Sequence, residues 1–188
     1  IRERIGAAGL SAVSGHFMET LPPPWEEPEW IFPVHERFLE TAKAAGLSIV
    51  SAHIGAMFWT PEAAEGAKFP ERCYLARSLY GESRMIHDSL PVFRNLCFEA
   101  AKRGVSVSIE TGCLELPALS CDMRLLVDFI RETGADNLGV CVDAGHCHLR
   151  GMDLAETVRL CGGLLMETHL HDNCGDTDSH APIGTGTV

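Results

Sequence analysis

The sequence predicts a parallel α/β fold, an arc of about five strands from a (β/α)8 barrel. Three observations predict it: a recurring helix–glycine–strand pattern, a ligand-type residue closing each strand, and four amphipathic segments lying between them. Residues 7–16 read AAGLSAVSGH and residues 44–53 read AAGLSIVSAH, the same pattern displaced by 37 residues (7 to 44). Each is a helix end, a glycine that stops it, and a short β-prone run ending in histidine, His16 or His53. Looser copies follow: AAKRGVSVSIE at 100–110 ends in Glu110, TGADNLGVCVD at 133–143 ends in Asp143, and GGLLMETH ends in His169. Helices are predicted at 34–45, about 86–103 with Pro91 near the start, 122–133 and 153–161, each with apolar residues three to four apart.

A closed (β/α)8 barrel takes about 250 residues, and an open arc leaves two raw sheet edges. The expectation is therefore one domain over residues 1–188, read as a fragment that lacks the first strand and the last two. Residues 21–33 (LPPPWEEPEWIFP) and about 54–80 are long loops after strands, where lids sit. Trp25, Trp30 and Trp59 lie on them, either packed over the barrel mouth or in contact with substrate.

Composition narrows the class. The 188 residues carry a formal charge of −11, which disfavours a phosphate backbone as partner, so no nucleic acid is expected. No apolar run approaches the roughly 20 residues of a membrane helix, and none at the start resembles a signal peptide. The eight cysteines are scattered without a C-x-x-C pair, which reads as reduced thiols in a cytoplasmic protein. Cys147 and Cys174 lie beside ligand-type residues, leaving a metal role open for them.

The chemistry concentrates at strand ends. Glu110, Asp143 and His169 close three successive strands, so in a barrel they converge on the axis at the catalytic face. A Glu/Asp/His set suits manganese, magnesium, cobalt or zinc. His146, three residues beyond Asp143, is within reach of the same pocket, to orient substrate, to bind a second ion, or simply to begin a helix. His16 and His53 occupy equivalent strand ends. Asp178 and His180, spaced D-x-H, bind one ion together or hold their loop by hydrogen bonds. His171 and Asp172 read as supporting groups that fix the orientation of His169.

DAGH at 143–146, HLHDN at 169–173, and D-x-H followed by PIGTG at 178–186 resemble the xylose isomerase-like TIM barrel superfamily. That superfamily includes sugar-phosphate isomerases and epimerases, ketose 3-epimerases and endonuclease IV. The resemblance implies a divalent metal held by Glu110, Asp143 and His169, with a fourth ligand, a second Glu, from a last strand. Thr185 stands where family tails usually carry the Glu of G-E-G. The implied function is isomerisation or epimerisation of a sugar or sugar phosphate, by proton transfer next to a carbonyl through an enediolate. Glu110 would move the carbon-bound proton and His146 would steady a substrate oxygen. A homo-oligomer stays open. Two other readings compete. An endonuclease IV-like enzyme would use equivalents of His16, His53, Glu110, Asp143, His146, His169, Asp178 and His180. A non-catalytic sugar-binding relative would have lost the chemistry.

Overall fold

A computed structural model describes residues 2–17, 31–54, 82–112 and 121–188. The three tryptophans, most of both long loops, Cys73 and Cys113 lie outside the described residues. In chain order the elements are α1 (Arg2–Ala7), β1 (Ser14–Phe17), α2 (Phe32–Ala45), β2 (Ile49–Ala52), α3 (Glu82–Ala101) and β3 (Ser106–Glu110). They continue with α4 (Met123–Thr133), β4 (Leu138–Asp143), α5 (Ala144–Leu149), α6 (Leu154–Cys161) and, after a short 3-10 turn, β5 (Leu165–His169). The five strands form one parallel sheet in the order β1-β2-β3-β4-β5. Each pairs with its sequence neighbour, as sequential β/α units of a barrel arc require.

Local signals account for the helix limits. The Asp122 carboxylate caps α4 by accepting from the Arg124 and Leu125 amides, and Gly134, at φ 71°, ends it in the left-handed region that a glycine tolerates best. Asp153 caps α6 through the Glu156 amide. The helix expected at about 86–103 begins at Glu82, so Pro91 sits well inside it rather than near its start. One backbone bond is lost there, and packing of the following turns against the sheet compensates. Phe93, Leu96, Cys97 and Ala100 of those turns are all buried in the core. The short α5, offered from the sequence only as one reading of His146, starts directly at the end of β4.

Period-two alternation divides the sheet into two faces. Val50, Val107, Ile109, Val140 and Val142 join Leu39, Ala42, Leu126, Phe129 and Ile130 in the apolar core beneath the helices. Phe93 and Phe129 meet edge to face at 5.6 Å, a geometry worth about 1 kcal/mol beyond burial. The intervening strand residues, Ser51, Ser108, Glu110, Cys141 and Asp143, are also buried, but they belong to the opposite face. A sheet covered by helices on one side and lined by polar groups on the other puts the chemistry on the inner face. No helix among the described residues is long and apolar enough to cross a membrane.

Candidate metal centre

Glu110 is the hub. It is 3% exposed at the end of β3 and meets four histidines, from β1, the end of β2, α5 and β5. Its Oε2 accepts from His16 Nε2 at 2.6 Å and lies 3.3 Å from His53 Nε2, while Oε1 lies 2.8 Å from His169 Nδ1 and 3.6 Å from His146 Nδ1. Burial would raise this carboxyl, yet hydrogen bonds from His16 and His169 and the adjacent His53 hold it well below the usual carboxylate range. The same contact pushes His169 up, whereas burial brings His53 down to about 4.

Asp143 does two jobs. One oxygen caps α5 by accepting from the His146 amide at 2.8 Å; the other is 3.7 Å from His169 Nδ1. Fully buried, it is raised above an ordinary aspartate by burial, against the partial relief of the His146 amide. Thr111 pins the ends of β3 and β4 together: its amide donates to the Cys141 carbonyl and its hydroxyl accepts from the Asp143 amide at 2.9 Å. Glu110, Asp143 and His169 thus offer three donor atoms within 4.8 Å of one another, and His16, His53 and Glu110 form a second such group.

A third group comprises His146, His171, Asp178 and His180. His146 Nδ1 lies 2.7 Å from the Thr111 carbonyl, which can only accept, so the neutral ring carries its lone pair on Nε2. In that neutral form the nitrogen and Asp178 Oδ2, 3.3 Å apart, are two acceptors face to face, and Asp178 Oδ1 is buried without a hydrogen-bond partner. Two facing acceptors and an orphaned carboxylate oxygen want a cation between them, so the residues fit a divalent ion. His180 supports this site from a strained backbone, at φ 46°, with its ring stacked 4.0 Å from that of His171.

The structure therefore brings together all the strand-end residues singled out from the sequence, and redistributes the loop residues. His171 was expected to steady His169; instead its Nε2 lies 2.9 Å from Asp143 and 3.7 Å from Asp178. Gly145 makes this approach feasible, since a Cβ there would collide with the His171 ring. Asp172 does not touch His169 either. Its carboxylate accepts from the Asn173, Gly184 and Val188 amides and so ties down the C-terminal loop. Cys147 is buried against Thr111 and Cys174 is exposed, and neither belongs to a ligand group among the described residues.

Sequence reasoning missed Thr111 and Glu167. Glu167 lies two residues before His169, hence on the same strand face, and that spacing was the available signal. Its partner in register is Cys141, because the β4–β5 pairing slips by one residue at Val140/Cys141. Met166 is the extra residue of this bulge and packs where Gly139 has no side chain. The slip keeps Asp143 opposite His169.

The chain matches the xylose isomerase-like TIM barrel family over residues 23–188 and belongs to that family. An uncharacterised protein of Methanocaldococcus jannaschii is 23% identical over 108 residues, 56% of this chain and 37% of that relative. Among solved structures, a D-tagatose 3-epimerase-like protein superposes with a TM-score of 0.73 at 19% identity, covering 100% of this chain and 66% of its own. The IOLI protein, solved with a bound zinc atom, gives a TM-score of 0.67 at 18% identity over 95% of this chain and 60% of its own. The chain thus spans less than two thirds of the length of each of these proteins.

Proposed function

We propose that the protein is a divalent-metal-dependent isomerase or epimerase of a small sugar or sugar phosphate. The observation that carries this reading is the Glu110–Asp143–His169 group, three donors delivered by adjacent strand ends to one buried point. The names of the similar structures, a tagatose epimerase-like protein among them, support the substrate class. A divalent ion held by these residues supplies Lewis acidity to adjacent carbonyl and hydroxyl oxygens. Glu110, kept ionised by its histidines, takes and returns the carbon-bound proton next to the carbonyl. His146 presents Nε2 to a substrate oxygen or to a second ion, its Nδ1 being committed to the Thr111 carbonyl.

The test is incubation of the full-length protein with manganese and a panel of ketoses and aldoses in deuterated water. The expected result is interconversion with deuterium at the reacting carbon; binding of manganese without exchange on any sugar would sink the reading.

One observation favours a second reading. Three ligand groups lie side by side, the first two sharing Glu110 and the third reached through Asp143, an arrangement suited to several ions acting on a phosphate ester. The charge of −11 argues against a nucleic-acid substrate. Nicking of a duplex with an abasic site, without sugar turnover, would reverse the order of the two readings.

A further inference from the structure

We propose that Cys141, Glu167 and His169 form a second, thiolate-bearing cation site that shares His169 with the carboxylate hub, one that takes a thiophilic divalent ion such as zinc or cadmium. Their sulfur, oxygen and nitrogen donors lie within 4.8 Å of one another. The bulge produces this grouping, since it sets Cys141 opposite Glu167 and Asp143 opposite His169 on one sheet face.

The surroundings are unusual for a barrel interior, which branched apolar side chains normally fill. Here Ser51, Ser108 and Cys141 are fully or almost fully buried, and Ser51 keeps a hydroxyl with no hydrogen-bond partner. Ser108 donates to Glu167 Oε2 at 3.0 Å and thereby orients the carboxylate. Glu167 Oε1 then stands 3.8 Å from His169 Nε2. That is too long for a hydrogen bond, and close to the roughly 3.4 Å between two donors across a tetrahedral zinc. Glu167 and His169 have side chains 10% and 29% exposed, so an ion can arrive from the β5 side.

Binding needs no redox partner. The ion displaces the thiol proton of Cys141, one S–H bond is replaced by one sulfur–metal bond, and one proton is released. A consequence follows from the shared imidazole. His169 turns Nδ1 to Glu110 and Asp143 and Nε2 to Glu167, and a neutral ring has only one lone pair. A thiophilic ion at Cys141 and a harder ion at the hub therefore compete for His169, and the chain discriminates metals by thiol affinity.

The experiment is a cadmium titration of the full chain carrying Cys73→Ser, Cys113→Ser and Cys174→Ser, which removes the one exposed thiol among the described residues and the two thiols outside them. The expected result is an ultraviolet thiolate-to-cadmium band that saturates at one equivalent with release of about one proton. Adding Cys141→Ser or Cys141→Ala abolishes the band, provided circular dichroism shows either variant folded. Glu167→Gln weakens cadmium affinity at least tenfold, on the order expected for loss of a ligand-shell carboxylate. One equivalent of cadmium lowers manganese affinity by a similar factor. Persistence of the band in a folded Cys141 variant, its absence in the parent, or a Glu167→Gln affinity within twofold overturns the proposal. A cadmium band without any manganese binding leaves it standing and removes the isomerase reading instead.

Discussion

The hub around Glu110 and the outer group around Asp178 meet at Asp143, yet they are built by different means. The hub is made by strands: Glu110, Asp143 and His169 are the final residues of β3, β4 and β5, and parallel pairing sets their spacing. The outer group is made by a short helix and a loop, held by the Asp172 carboxylate and the closeness of Gly145 to His171. Strand-borne ligands inherit the rigidity of the sheet, whereas loop-borne ligands depend on a few hydrogen bonds and close contacts. The hub is therefore expected to survive changes that dismantle the outer group, and the reverse does not hold, because Asp143 serves both.

The largest expected effect comes from the centre. Glu110→Gln removes the one charge that four histidines face, and manganese affinity by calorimetry should fall by about a hundredfold or more, with turnover lost. Retention of full turnover by a metal-binding variant would contradict the assignment of Glu110 as the proton carrier.

A histidine away from both groups provides the control. His35 of α2 is buried against Phe17, edge to face at 5.3 Å, and burial alone lowers it to about 4. In the unfolded chain it titrates near 6.5. Stability from keeping it neutral is fully present above that value and is lost as pH falls toward 4, at most about 3 kcal/mol. His169, with its pKa raised by Glu110, behaves oppositely: its contribution is present at low pH and fades as pH rises through its folded value. Denaturant melts from pH 7 to pH 4 should show the acid loss in the parent, and His35→Phe should reduce it, the remainder coming from groups such as His53, which burial also lowers to about 4. An unchanged slope would mean that His35 is not among the groups being titrated.

Gly145→Ala separates the two regions. The new methyl displaces His171, so the outer group should lose on the order of tenfold in cation affinity, with about 1–3 kcal/mol of overpacking cost. Hub affinity should change by less than about threefold, because Glu110 and Asp143 are held by the sheet and not by Gly145. Equal losses at both sites would show that they form one cooperative unit.

The smallest effect is expected at Asp172. Amides of Val188, Gly186, Gly184 and Asn173 hold it down to about 2, so its hold on the loop persists until pH falls through that value. Asp172→Asn should speed amide exchange at Gly184 and Val188 several-fold while leaving β3 and β4 protection as it was. Unchanged exchange would remove Asp172 as the anchor of the outer group.

Much of this was legible beforehand. The echo of AAGLS at 7 and 44 located β1 and β2, and alternation located β3, β4 and β5, with ends within one residue of the ligand positions. Glycine and aspartate punctuation set the limits of α4 and α6, while the start of α3 was missed and α5 was foreseen only as one reading of His146. The loop residues were harder, because D-x-H and H-x-H spacings state which donors are near in sequence and not which way each turns.

By itself, then, the sequence determined the parallel β/α order and the convergence of Glu110, Asp143 and His169, since two-residue alternation and strand termination are local properties. Only the tertiary structure decided that His171 serves Asp143 and Asp178, that Asp172 anchors the loop, and that Glu167 stands beside Cys141. These depend on a one-residue slip between two strands and on where a backbone lacking a Cβ lets a ring approach. Both are relations between segments, and no single segment carries them.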